Sequence, residues 1–392
     1  MKLISGFSSW QFPLGILALF RHVNSSGRIS MSVKRIAHSV LILIAPALLV
    51  GCGGSSTLQP APAPNAMARF AFVASEFSNS ITSYAVDPQT GQLNATETVP
   101  AGGINPAVIV VEPSRRFAYV GNIGSNDISV FSIDANTGRL SRVGSPVPAG
   151  NGSRSIVVGP TGRILYVVNQ QDNSLSAFSI DANTGTLTPF VGSVTTDQAP
   201  TQLRFHPSGQ FAYVANFNSG DVTVYRVGSS GSLGLLGATP AGLSPSSIGM
   251  HPSGRFAYVS DFSTNHVTVL SIDQATGALT PLAPPVATGN TPVSVAVDAP
   301  GRFVYVLNAL DSTVNVFPVD LATGALMQGS TMSAGTIPVA LTLDPSGRFA
   351  YVANQGSSDV TIFAVDATTG ALTPLGSPVL AGTGPSSVVL VQ

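Results

Sequence analysis

Four departures from an otherwise repetitive chain carry side chains capable of chemistry: Glu76, Arg154, His206 and His251. The two histidines belong to a series at the eighth position of one recurring strand, Glu112, Gly159, His206, His251, Asp298, Asp344 and Gln392. Imidazoles and carboxylates on consecutive units offer a general base or the donors of a divalent-metal site. Most of these residues also open turns, continued as Pro-Ser-Gly after His206, His251 and Asp344, where Asp caps its own turn amides and His is tolerated in the same role. Adjacent units should stand roughly 10 Å apart, as packed sheets do, too far to share a zinc ion bound at about 2 Å. No metal is therefore expected, and His206 and His251 are kept as ligand-binding candidates.

The elements that must position these groups are written seven times. RFAFVAS, RFAYVGN, RILYVVN, QFAYVAN, RFAYVSD, RFVYVLN and RFAYVAN carry their central aromatic at Phe72, Tyr119, Tyr166, Tyr213, Tyr258, Tyr305 and Tyr351, in steps of 45 to 47 residues. A unit of that length with several alternating strands is a propeller blade. The last unit reads as four strands: PVALTLDP, RFAYVAN, DVTIFAVD and the ALTPLG segment. Asp344-Pro345-Ser346-Gly347 suits a type I turn, and in Asp366-Ala367-Thr368-Thr369-Gly370 the carboxylate can cap the turn while Gly supplies positive φ. Each such turn offers one carboxylate, too few oxygens for calcium.

The first unit begins at its second strand, Arg69, and the missing first strand is PSSVVLVQ, Pro385 to Gln392. The expected fold is an all-β, seven-bladed β-propeller of four-stranded blades spanning 68–392, closed when the C-terminal strand joins the N-terminal blade. Such closure removes open sheet edges. Six arginines that open the second strands, Arg69, Arg116, Arg163, Arg255, Arg302 and Arg348, are expected to pair with the carboxylates of the eighth-position series.

Ahead of the domain, MSVKRIAHSVLILIAPALLVGC at 31–52 has a basic start, a short apolar stretch and a Leu-Val-Gly-Cys close. That is the pattern of a bacterial lipoprotein signal, and the apolar run is about half the ~20 residues that span a bilayer. Residues 1–51 are expected to be an upstream extension plus signal peptide, and 52–67 a flexible tether carrying lipid on Cys52, the chain's one cysteine. The lipid at Cys52 would hold the domain at the bacterial cell envelope, exported to the periplasm or surface.

From residue 52 onward twelve arginines face eighteen carboxylates with no lysine, a surface that gives no footprint for nucleic acid. GxSxG, HExxH and CxxC constellations are absent. The only Trp, Trp10, lies outside the propeller, which argues against a quinone-cofactor propeller, and no cofactor is expected. A monomer is expected, with a polar ligand or protein loop as the partner of the Gly-, Asn- and Ser-rich mouth.

The phrases FAYVAN, DVTIF, TGALTPLGSPV and HPSGRFAYV resemble the YVTN-type repeats of the lactonase-family seven-bladed propellers, which include 6-phosphogluconolactonase. The resemblance covers 68–392 and implies a site at one mouth of the ring, built from motifs at the start of the first strand and just after the second. Arg154 and Glu76 are the matching residues, so the resemblance makes them the candidate catalytic pair; the family's first-strand histidines have no counterpart. Three functions follow from this reading. The leading one is a lipid-anchored binding or interaction scaffold, the alternatives being a lactone hydrolase and a structural surface or adhesion repeat.

Overall fold

Each repeat folds into four antiparallel strands ordered outward from a central channel, and seven such sheets form the ring. The structure is a computed structural model that describes residues 68–392 apart from Ala283, together with two short paired strands, His22–Val23 and Ile29–Ser30. The proposed signal and lipid-attachment residues, 31–52, lie outside the described residues. Among the described residues no helix is long and apolar enough to cross a membrane.

In the second blade the innermost strand is Pro106–Val111, followed by Phe117–Asn122, Asp127–Ile133 and an outer strand split into Leu140–Arg142 and Val147–Pro148. The first blade draws its innermost strand from the other end of the chain. Pro385–Val391 pairs antiparallel with Phe70–Ser75, Phe72 opposite Val389, so the ring closes through a non-covalent sheet. This register corrects one sequence assignment. Val391, facing Phe70, is the counterpart of Glu112 and Asp344, and Gln392 lies one residue further on, where its side chain accepts a hydrogen bond from Arg115.

The aromatic phrase and the Asp-x-x-Thr-Gly turn prove to be two halves of one contact between blades. The ring of Phe117 lies against Gly185 of the next blade, and the Tyr119 hydroxyl donates to the Gly185 carbonyl at 3.1 Å. The same bond joins Tyr213 to Gly277, Tyr258 to Gly324, Tyr305 to Gly370 and, across the closure, Tyr351 to Gly91. A Cβ on Gly185 would stand 2.4 Å from the Phe117 ring, and φ there is +72°. Only glycine satisfies both demands. The third blade varies both partners together: Ile164 replaces the Phe, and the Gly228–Gly231 turn of the fourth blade replaces the Asp turn while still offering Gly231 to Tyr166.

The strand-opening arginines serve this contact rather than the carboxylate series. Arg116, Arg255 and Arg348 donate to turn carbonyls of the following blade, Arg348 to Pro88 and Gln89. Arg69, Arg116, Arg255, Arg302 and Arg348 each hold the guanidinium 4.8–5.4 Å above the adjacent Phe ring. Only Arg302 approaches a carboxylate of that series, Asp298 at 3.7 Å. The expected general pairing fails because those carboxylates are already filled by turn amides: Asp344 accepts from the Arg348 and Phe349 amides at 2.7 and 2.8 Å. Where Gln210 replaces the arginine, Arg226 on the neighbouring strand supplies the guanidinium over Phe211. The Asp-x-x-Thr-Gly carboxylates cap their own turns as expected, and amide donors hold Asp134, Asp181, Asp273 and Asp366 below the usual carboxylate pKa.

Phe72 is the one blade aromatic without a hydroxyl, so Gly138 receives no tyrosine bond although it packs on Phe70 as its counterparts do. Phe72→Tyr should restore the missing bond and raise unfolding free energy by about 0.5–1.5 kcal/mol, read by urea denaturation; a loss of stability would show that this interface has no room for the latch. The latch also has a pH signature. Burial pushes the latch tyrosine Tyr166 up to about 12 and the other latch tyrosines further, while unfolded tyrosine ionises near pH 10. The unfolded chain therefore loses these protons first, and stability should fall as pH rises above about 10. Absorbance at 295 nm should show tyrosinate appearing with unfolding, not ahead of it.

Candidate functional site

The inner strands all begin at one mouth of the channel, here the upper, and end at the lower. Six of the seven start with a proline and the third blade's with Ser153, and each then breaks register by one residue, as between Ser153 and Ser155, Pro200 and Gln202, and Pro245 and Ser247. The extra residue is a β-bulge, a device that turns a side chain out of the ladder. Bulged Thr201, Ser246 and Ser386 donate to the first carbonyl of the next inner strand, Ser246 to Pro292 at 2.7 Å. Arg154 occupies the same bulge in the third blade and forms no hydrogen bond among the described residues.

Above the bulges stands a second ring, the residues that follow each second strand: Glu76, Ile123, Gln170, Phe217, Phe262, Ala309 and Gln355. Two consecutive pairs touch. Gln355 donates to the Glu76 carboxylate at 2.9 Å, and the Phe217 and Phe262 rings pack edge to face at 5.5 Å. Phe262 keeps 39% of its surface exposed, ample for contact with a ligand. The upper mouth thus has a polar side at Glu76 and Gln355 and an aromatic wall at Phe217 and Phe262.

Glu76 is anchored by its backbone amide to Gly384, 2.7 Å, and by Gln355 on one carboxylate oxygen. Arg154 remains open to water through the channel, yet protein surrounds it, and that desolvation lowers its pKa. The charge of Glu76 acts in the opposite direction, so the two side chains lie within electrostatic reach of each other. They form no ion pair within 4.0 Å. Although they stand two blades apart in sequence order, the ring brings them into one electrostatic environment.

His206 and His251 sit at the far end of the channel wall, where the inner strands finish. Each is buried, 4% and 5% exposed, and both ring nitrogens are engaged. His206 Nδ1 accepts from the Ser208 amide at 3.1 Å and lies 2.7 Å from the Ser208 hydroxyl, while Nε2 donates to the Gly254 carbonyl of the next blade at 2.8 Å. His251 repeats the pattern with Ser253 and Gly301. In this geometry the imidazoles cap a turn and clamp adjacent blades, and they do not meet Glu76 or Arg154. Among the described residues no group of three or more His, Cys, Asp or Glu side chains converges as a metal site.

Residues passed over in the sequence also shape the channel. Arg154 and Arg204 are the only charged side chains on the seven inner strands, and Phe217 and Phe262 fill the ring position of Glu76. Aligning the seven units column by column would have exposed both features.

Comparison with known proteins agrees with this fold. The family model described as "Lactonase, 7-bladed beta-propeller" matches residues 63–154, 146–297, 238–332 and 284–390. No curated protein matches the chain. Among solved structures, a Bacteroides fragilis protein proposed to be a 6-phosphogluconolactonase superposes with a TM-score of 0.72 at 18% identity, covering 85% of this chain and 100% of its own. A protein from Lactobacillus plantarum gives a TM-score of 0.73 at 22% identity, covering 83% and 100% respectively. The periplasmic gluconolactonase PpgL of Pseudomonas aeruginosa gives 0.70 at 23% identity, covering 82% and 99%. At these identities the likeness concerns the fold.

Proposed function

The chain belongs to the lactonase family of seven-bladed β-propellers, and from that premise we propose that its upper mouth binds and hydrolyses a lactone. The observation that carries the reading is the electrostatic coupling of Glu76 and Arg154 at one end of the channel, the two positions where this chain matches the family's site motifs. Glu76 would accept a proton from water as the oxygen attacks the lactone carbonyl. Arg154 would stabilise the oxyanion that forms. Collapse breaks the bond to the ring oxygen, which takes the proton from Glu76, and a hydroxy acid leaves. Phe217 and Phe262 would hold the apolar face of the ring. The descriptions of a gluconolactonase and of a proposed 6-phosphogluconolactonase among the structural neighbours support sugar lactones as the substrates to try first.

A second reading, binding without turnover, is favoured by the separation of Glu76 from Arg154 beyond ion-pair distance and by the lack of the family's histidines. The full chain should be assayed by pH-stat on glucono-δ-lactone and 6-phosphogluconolactone. Glu76→Gln should lower kcat by about 10²–10⁴-fold and Arg154→Gln by about 10²–10³-fold, while His206→Gln, at the opposite mouth, keeps the rate. Equal rates for wild type and Glu76→Gln would remove Glu76 from the chemistry, and no turnover by any of them would leave the binding scaffold.

We also propose that lipid on Cys52 holds the domain at the bacterial cell envelope, a reading supported by the 31–52 signal pattern. Cells fed labelled palmitate should transfer the label to the full chain and not to Cys52→Ser; equal labelling of both would overturn it.

A further inference from the structure

The inner face of this ring carries an unbalanced charge. Its only charged inner-strand side chains are Arg154 and Arg204, on adjacent blades, within a domain whose carboxylates outnumber its arginines. Arg204 lies three residues further along its strand than Arg154 does on its own, about 10 Å deeper at 3.3 Å per residue. Like Arg154 it is exposed to the water of the channel, yet protein lies on all sides of it, and that partial desolvation lowers its pKa with no carboxylate acting against it. The carboxylates nearest the lower mouth are spent on their own turns. Glu112 accepts from the Arg116 and Phe117 amides at 2.8 and 3.2 Å, and Asp298 and Asp344 are filled in the same way.

Gln202, two residues earlier, projects from the same face of the strand, and both side chains grip the free edge of the next inner strand at Ile248. Gln202 Oε1 accepts from the Ile248 amide at 2.7 Å and from the Ser247 hydroxyl at 3.1 Å, which assigns the other amide atom as nitrogen. Arg204 donates Nε to the Ile248 carbonyl at 3.3 Å. These bonds fix the two side chains while leaving Gln202 Nε2 and both terminal amino groups of Arg204 without partners among the described residues. The remaining donors therefore sit on one side of Ile248, beside the channel.

We propose that Gln202 and Arg204 form an oxyanion site inside the channel, separate from turnover at the mouth, that takes a phosphate or carboxylate group. A guanidinium held at the channel wall without a counter-charge keeps its terminal donors open to a ligand, and a planar fork of donors matches an oxyanion in both geometry and charge. Low-dielectric walls concentrate its field, so a small anion is drawn into the channel despite the acidic exterior.

The test is isothermal titration of the full chain with inorganic phosphate and, separately, with gluconate, at constant ionic strength in chloride. Saturable binding of either is expected, and the ligand that binds identifies phosphate or carboxylate as the source of the oxyanion. Arg204→Met should weaken it at least tenfold. Gln202→Glu keeps an acceptor for the Ile248 amide but supplies a carboxylate beside Arg204, so it should abolish binding with the melting temperature retained. Arg163→Met, at the opening of a second strand, should bind as the wild type does. No binding of either anion to the wild type, or undiminished binding by Arg204→Met and Gln202→Glu, would overturn the site.

Discussion

The structure depends on one contact made repeatedly, an aromatic pair from each blade pressed onto the turn of the next. In most blades a Phe ring meets a glycine too crowded to carry a Cβ, and a Tyr hydroxyl meets that glycine's carbonyl. Each blade is a small sheet whose two faces must both be covered, and it has no core of its own. The latch supplies a fixed depth and angle of approach, because a ring packed on bare backbone leaves little freedom to slide. Closure then follows from the same chemistry, since the Tyr351 to Gly91 bond joins the last blade to the first beside the C-terminal strand.

Fixing the outer parts of the blades in this way leaves the inner strands with an unpaired edge along the channel. The protein covers that edge with side chains from the preceding blade: bulged hydroxyls at the top, Gln202 and Ser247 below them, and Thr342 and Arg204 deeper still. Most channel polarity is therefore the completion of a sheet edge. Arg154, which stitches nothing, and the amino groups of Arg204 and Gln202 are what remains for a ligand. The mouth above them inherits its shape from the same ring, with Glu76 and Gln355 on one side and the Phe217–Phe262 pair on the other.

Asp and Arg illustrate how local and long-range forces divide the polar groups. Carboxylates in the turns find amide donors within a few residues of their own position, so their partners are local. The arginines of the second strands reach instead to a neighbouring blade whose turn carbonyls lie over sixty residues away. Local amides fill the carboxylates, which is why the ion pairs expected from sequence proximity give way to cation–π and carbonyl contacts.

Sequence alone determined the number of blades, their four strands, the closing role of the C-terminal segment and the turn-capping of the repeated Asp, because each of these rests on periodicity or on contacts within a few residues. It also singled out Glu76 and Arg154, since a charge standing where other copies are neutral is visible without coordinates. Tertiary structure decided everything that depends on the partner across a blade interface. The tyrosine hydroxyl finds its glycine in another repeat, His206 and His251 face carbonyls of the following blade, and Gln392 yields its ring position to Val391 through a one-residue register. The electrostatic coupling of Glu76 with Arg154, and the grip of Gln202 and Arg204 on Ile248, likewise exist only once the blades are assembled. Residues that are neighbours around a circle are not neighbours along a chain.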